Sequence, residues 1–333
     1  VRLGRTAGLF GAGLAVLAVL AGCRTSAPAP SGVTPAPDAA EHVQDAPDTA
    51  AALPADASLA SPSVGDAAPA AVAARVEAGA PPSDMLLVPG GTFTMGQDGG
   101  GEGDERPAHP VTLAAFWLDR TEVTQSAYDE CVAARACPPP DPAILATFGG
   151  LFKGPNKPVV GVSWFAARDY CTWRGKRLPR EAEFERAVRG EDGRRYPWGN
   201  EAPTHERTVY ETNATEDVGT HPTGRGPYGH DDLAGNVWEW IEDDYDPLAY
   251  TRATAGEGRP GSCDEIVQAQ NKLRAEGKQG FTGSNPIPTE CEKSIRGGAY
   301  NYPAGGLRST NRIHHPPSFK LRMTGLRCAK DAG

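Results

Sequence analysis

Nine residues constrain this chain more than any others: Asp232-Leu233-Ala234-Gly235-Asn236-Val237-Trp238-Glu239-Trp240. In an extended segment the Trp-x-Trp alternation places both indoles on one face and turns Glu239 to the other. Asp232 and Glu239, with main-chain carbonyls from the intervening turn, make an all-oxygen donor set of the kind a hard cation such as calcium prefers. Acids beside aromatics also occur in ordinary turns, and chemistry alone leaves both readings open.

The start of the chain is a different kind of sequence. Arg2 and Arg5 precede an apolar run from Leu9 to Leu20, closed by Leu20-Ala21-Gly22-Cys23. A positive flank, a short apolar core and small residues at the cut describe a signal peptide over residues 1–22, too short for a comfortable membrane span. A cysteine directly after Ala-Gly resembles the bacterial lipobox. That resemblance implies cleavage before Cys23, a lipid on its thiol, and a membrane-anchored location in the bacterial cell envelope, periplasmic or surface-exposed. Residues 24–83 carry no Phe, Trp or Tyr and are dominated by Ala, Pro, Ser and Asp. Such a segment cannot bury enough apolar surface to offset its ordering entropy. Residues 23–83 are therefore read as a lipidated, disordered tether with a root-mean-square span on the order of 40 Å.

From Asp84 the composition changes: all six tryptophans lie beyond it. Glycine and proline are frequent (40 and 31 in the chain), so long loops and few helices are expected. Leu86 to Met95 reads as a strand pair around Gly90-Gly91, and Val111 to Leu118 as a further strand. Thr124 is placed to cap a helix through Ala134, with Val123 as staple, and Ser163 to cap one through Trp173. A third helix follows Pro179. Beyond Arg189, mostly loops and short strands are expected.

Gly235-Asn236-Val237-Trp238-Glu239-Trp240 resembles the signature of the formylglycine-generating enzyme (sulfatase-modifying factor) family, and companion motifs follow in the family's order. They are Leu87-Val88-Pro89-Gly90-Gly91-Thr92-Phe93-Thr94-Met95-Gly96, Glu122-Val123-Thr124, Pro158-Val159-Val160-Gly161-Val162-Ser163-Trp164 and Gly175-Lys176-Arg177-Leu178-Pro179. Glu181-Ala182-Glu183-Phe184-Glu185, Tyr196-Pro197-Trp198-Gly199-Asn200, Arg296-Gly297-Gly298 and Gly325-Leu326-Arg327-Cys328 complete the set. The resemblance covers residues 84–330. It implies an irregular α+β fold, distantly like C-type lectins, with little regular secondary structure. It also implies a structural calcium held by the side chain of Asp232, the carbonyls of Gly235 and Val237, and the carboxylate of Glu239. The family's second calcium would fall near Asn213 to Gly219, where no ligand set can be assigned.

Seven cysteines leave six if Cys23 is lipidated, an even number in an exported protein. Cys131 and Cys137 can close a local loop, and Cys263 and Cys291 bracket a polar insertion, Asp264 to Glu290. Cys171 and Cys328 remain, and the resemblance supports that last pair. A zinc site has little basis, because no Cys-x-x-Cys occurs.

The resemblance also implies what is missing. In the family a serine follows the Gly-Gly, then a cysteine three residues on and a second five further, and the two thiolates bind copper. Here those positions hold Ala299, Tyr302 and Leu307. Neither tyrosine nor leucine supplies the soft thiolate that copper(I) requires, so no copper and no family-type cysteine oxidation are expected. The sequence also lacks the His-x-x-x-His-x-Glu iron motif of the ergothioneine-forming relatives. His314 and His315 would point apart in an extended chain, as surface residues or as an acid/base or metal pair only if a turn intervenes. A formal net charge of -9 opposes nucleic-acid binding.

Two functions from different classes follow. One is a noncatalytic, envelope-anchored module that binds a protein, peptide or glycan in the old substrate cleft. Tyr300, Tyr302, Arg308 and His314 would line that cleft, since aromatic and arginine side chains suit recognition. The alternative is an enzyme of the same family with a different oxidative chemistry.

Overall fold

The computed structural model describes residues 84–252, 254–277 and 291–333. The expected signal peptide at 1–22, Cys23, the expected tether at 23–83 and residues 278–290 of the polar insertion lie outside the described residues.

Residues 84–119 form four short strands rather than a strand pair and one further strand. β1 (Met85–Val88) and β2 (Gly91–Met95) are separated by Pro89-Gly90 and do not pair with each other. β2 pairs antiparallel with β3 (His109–Leu113), and β1 with β4 (Phe116–Asp119). The expected strand from Val111 to Leu118 is broken at Ala114-Ala115. The reason is burial. Val88, Phe116 and Leu118 pack with Phe184 and Ile241, whereas Phe93, Met95 and Val111 pack with Tyr250 in a separate cluster. A simple hairpin could not feed two cores.

The helices follow their local signals. Thr124 accepts the Ala127 N–H at 3.2 Å and opens α1 (Gln125–Ala133). Helix α2 (Pro142–Phe152) was not foreseen, although proline at its first position suits a helix start. Ser163 accepts the Ala166 N–H at 3.3 Å and opens α3 (Trp164–Trp173). Helix α4 (Glu181–Arg189) follows Pro179 as expected.

At the centre lies β5 (Trp238–Asp244), whose two indoles are fully buried in the main apolar cluster with Tyr128, Trp164 and Tyr170. Trp240 Nε1 donates to the Val162 carbonyl at 3.0 Å, and Trp164 Nε1 donates to Ile241 at 2.7 Å. These two bonds satisfy indole donors that burial would otherwise strand. After α5 (Cys263–Ala275), β5 pairs with β6 (Lys293–Arg296), and β6 with β7 (Ile313–His315). β8 (Thr324–Gly325) joins β5 in parallel, while β9 (Ala329–Asp331) returns to β4. The three expected disulfides, Cys131–Cys137, Cys171–Cys328 and Cys263–Cys291, are all formed. The result is the expected α+β arrangement of short elements.

Candidate functional site

The turn before β5 is built on unusual backbone. Asp232 and Asn236 have φ of 54° and 59°, and Gly235 has 88°. A side chain at Gly235 would also overlap Thr208 Oγ1 and the Val209 carbonyl, so only glycine fits. Asp232 Oδ2 accepts the Gly219 N–H at 2.6 Å. Behind the turn, Glu122 accepts the Asn236 carboxamide at 2.6 Å and the Val237 N–H at 3.0 Å. Glu239 points away from the indoles, as the alternation requires, and meets Arg327. The guanidinium donates to both carboxylate oxygens, at 2.6 and 2.8 Å, with both side chains fully buried. Arg327 also donates to the Asp231 and Asp232 carbonyls at 3.2 and 3.0 Å.

Charge in this turn does not balance. Asp231 has two arginines of its own, Arg120 and Arg225. Glu122, Asp232 and Glu239 share Arg327. Burial pushes all three carboxyls above their ordinary range, most strongly at Glu122, where repulsion from Asp232 and Glu239 adds to it. An oxygen-rich, over-acidic pocket fits a hard divalent cation. Among the described residues, no three or more His, Cys, Asp or Glu side chains are placed to ligate one ion. A cation here would therefore draw on Asp232 and Glu239 together with the carbonyls of Gly235 and Val237, and Glu239 would share its oxygens with Arg327.

The loop after β6 carries Ala299, Tyr302 and Leu307, the three positions that the sequence resemblance matched to the family's serine and two thiolates. Ala299 is fully buried, and Tyr302 lies edge-on to Trp238 at 5.1 Å. Leu307 is 1% exposed and packs with Tyr196 and Ala234. Apolar packing thus occupies both positions. Every cysteine among the described residues is in a disulfide.

The four residues expected to line one cleft are spread out. Tyr300 is buried in the main cluster beside Phe152, at 5.3 Å between ring centroids. Tyr302 packs on Trp238. Arg308 pairs with buried Glu105 and lines a separate cavity. His314 bonds Glu292 through Nδ1 and stacks on Tyr245 at 3.9 Å. His315 faces the other way, against Phe319, and burial holds its imidazole down at about 4. The two histidines therefore do point apart.

Beneath Arg308 runs a buried ionic network that the sequence did not disclose. Arg312 holds Glu181 at 2.7 and 2.8 Å, while Arg296 holds Glu185 at 2.5 Å and reaches Glu181 at 3.5 Å. The spacing of Glu181, Glu185 and Arg189 on one helical face was the available signal. Glu122 and Arg327, which complete the acidic turn, were visible only as members of ordered motifs.

Comparison with known proteins agrees with this architecture. Residues 70–332 match the family model described as a sulfatase-modifying factor enzyme 1-like domain. Serine/threonine-protein kinase Pkn1 of Chlamydia trachomatis is 31% identical over 263 residues, which cover 75% of this chain but only 38% of that protein. The formylglycine-generating enzyme of Streptomyces coelicolor is 31% identical over 327 residues, 79% of this chain and 95% of the enzyme. The solved structure of PvdO from Pseudomonas aeruginosa shares the fold, with a TM-score of 0.56 at 24% identity, covering 74% of this chain and 94% of that one.

Proposed function

The chain belongs to the sulfatase-modifying factor enzyme 1-like family, and from that premise we propose a noncatalytic member that binds a protein, peptide or glycan. One observation carries this reading. The six cysteines of the described residues are all consumed in disulfides, and the resemblance puts Tyr302 and Leu307 where the family's thiolates would stand. A copper(I) site of the family type needs two free thiolates, and a disulfide sulfur is not one. A lipid on Cys23 would fix the module to the cell envelope, with residues 24–83 as spacer. The acidic turn at Asp232, Gly235, Val237 and Glu239 would hold a calcium ion. Its chemistry there is charge balance and loop fixation, with Arg327 orienting Glu239.

A second reading, an enzyme of different chemistry, has one observation in its favour. The His314–Glu292 pair is half-buried beside Tyr245, whose hydroxyl donates to Asp104 at 2.6 Å. That is an arrangement able to hold and pass a proton.

The test is to load the full chain with copper(I), remove unbound metal, and incubate it in air with a cysteine-containing peptide. The expected result is no retained copper and a peptide whose cysteine keeps its thiol. Conversion of that cysteine to an aldehyde over several turnovers would overturn the noncatalytic reading.

A further inference from the structure

A cavity of about 150 Å³ opens between the Gly99–Gly101 loop and the segment Arg308–Thr310. Four arginines line it: Arg189, Arg194, Arg195 and Arg308. In a chain of net charge -9 this is a local reversal of sign. Arg308 is bound by Glu105, Arg194 by Asp192 at 2.7 Å, and Arg189 by Glu185 at a long 3.4 Å. Glu185 is also the closer partner of Arg296. Arg195 has its guanidinium over the Tyr196 ring at 5.6 Å and no carboxylate among the described residues. Four guanidinium groups thus meet three carboxylates, one of them shared elsewhere.

Hydrogen bonding adds to the strain on this wall. The Nε–H groups of Arg189 and Arg308 are buried behind the lining and have no acceptor among the described residues, so the cavity ligand would be held by the charge and the outer N–H groups of these arginines. The wall opposite is a glycine loop with φ of 73° and 65° at Gly100 and Gly101. A side chain at Gly101 would overlap Gln97 and Glu105, which keeps the backbone close to the cavity.

We propose that this cavity binds a tetrahedral oxyanion, phosphate or sulfate, either free or as a small monoester. The missing component is an acceptor with several oxygens and more than one negative charge. Guanidinium forks match such oxyanions geometrically. The volume admits a tetrahedral oxyanion with part of its hydration shell. The proposal is independent of whether the fold is catalytic. Of the cleft residues expected from the sequence, only Arg308 takes part.

The test is calorimetric titration of the full chain with inorganic phosphate, sulfate, O-phosphoserine and acetate, with chloride holding ionic strength constant. We expect one saturable site in the millimolar range or tighter for a tetrahedral anion, and weaker binding of acetate. Binding of the inorganic ions alone identifies a free anion as ligand, and preference for O-phosphoserine identifies a monoester. Arg195→Gln removes an exposed arginine with no ion pair among the described residues, so folding should survive while affinity falls about tenfold, one charge-assisted hydrogen bond. Absence of saturable binding, binding of acetate as tight as phosphate, or full affinity in Arg195→Gln would each overturn the proposal.

Discussion

Replacing Arg327 with methionine should destabilise the fold by about 3–5 kcal/mol, the usual penalty for removing one partner of a buried ion pair. Arg327 is the cation that Glu239, Asp232 and Glu122 share, and its guanidinium also holds carbonyls of the acidic turn. Without it, the carboxyls must either ionise unpaired or take up protons. The pH dependence gives the sign. Burial raises these carboxyl pKa values in the folded state, so their favourable contribution is complete below the ordinary carboxylate range and lost as pH rises through the raised values. The variant's deficit should therefore be smallest near about pH 4–5 and largest above neutrality. Adding Glu239→Gln to Arg327→Met should recover part of the loss, because a charge no longer lies buried without a partner. Urea unfolding of the chelated, calcium-free protein at two pH values measures all of this; a deficit below about 1 kcal/mol at neutral pH would mean Arg327 behaves like a surface ion-pair residue.

Removing the Cys171–Cys328 disulfide should cost about as much. The bond closes a sequence separation of 157 residues, for which the chain-entropy relation gives about 5 kcal/mol. Both cysteines are fully buried, and the Cys328 N–H is held by Asp119 at 2.8 Å, so native packing should outlive the bond and the entropic part should dominate. The same relation gives about 3.6 kcal/mol for Cys263–Cys291, separated by 28 residues, and about 2 kcal/mol for Cys131–Cys137, separated by 6. Three paired Cys→Ala variants compared by denaturant unfolding should follow that order. A smaller effect at Cys171 and Cys328 than at Cys131 and Cys137 would show that loop entropy does not set their contribution.

What the sequence disclosed was local. Helix caps at Thr124 and Ser163 depend on a side chain and an N–H three residues apart, and both were legible. So was the facing of Trp238, Glu239 and Trp240, fixed by the two-residue period of a strand. The Cys171–Cys328 bridge was legible through the family resemblance. The failures needed distant information. Leu86 to Met95 alternates like a hairpin, but its halves pair with Leu118 and Val111 in different sheets. Helix α5 begins with a capping box, Ser262 with Glu265, that was present in the sequence and obscured by the polar insertion around it. Partners of buried charges were beyond reach. Glu239 and Arg327 lie 88 residues apart, and Glu105 and Arg308 lie 203 apart, with nothing in local pattern to join them. The expected cleft failed to assemble for the same reason: Tyr300, Tyr302, Arg308 and His314 are near in sequence, but each is claimed by a different distant partner.

The most direct test of the account is metal analysis of the purified full chain, with thermal unfolding before and after chelation. The noncatalytic reading with a structural cation predicts about one equivalent of calcium. Stability should be lost on chelation and restored by adding calcium back, and the loss should grow as pH rises because the carboxyls of the acidic turn then ionise. Copper or iron at stoichiometric levels, with stability indifferent to calcium, would contradict it and place redox chemistry in this fold.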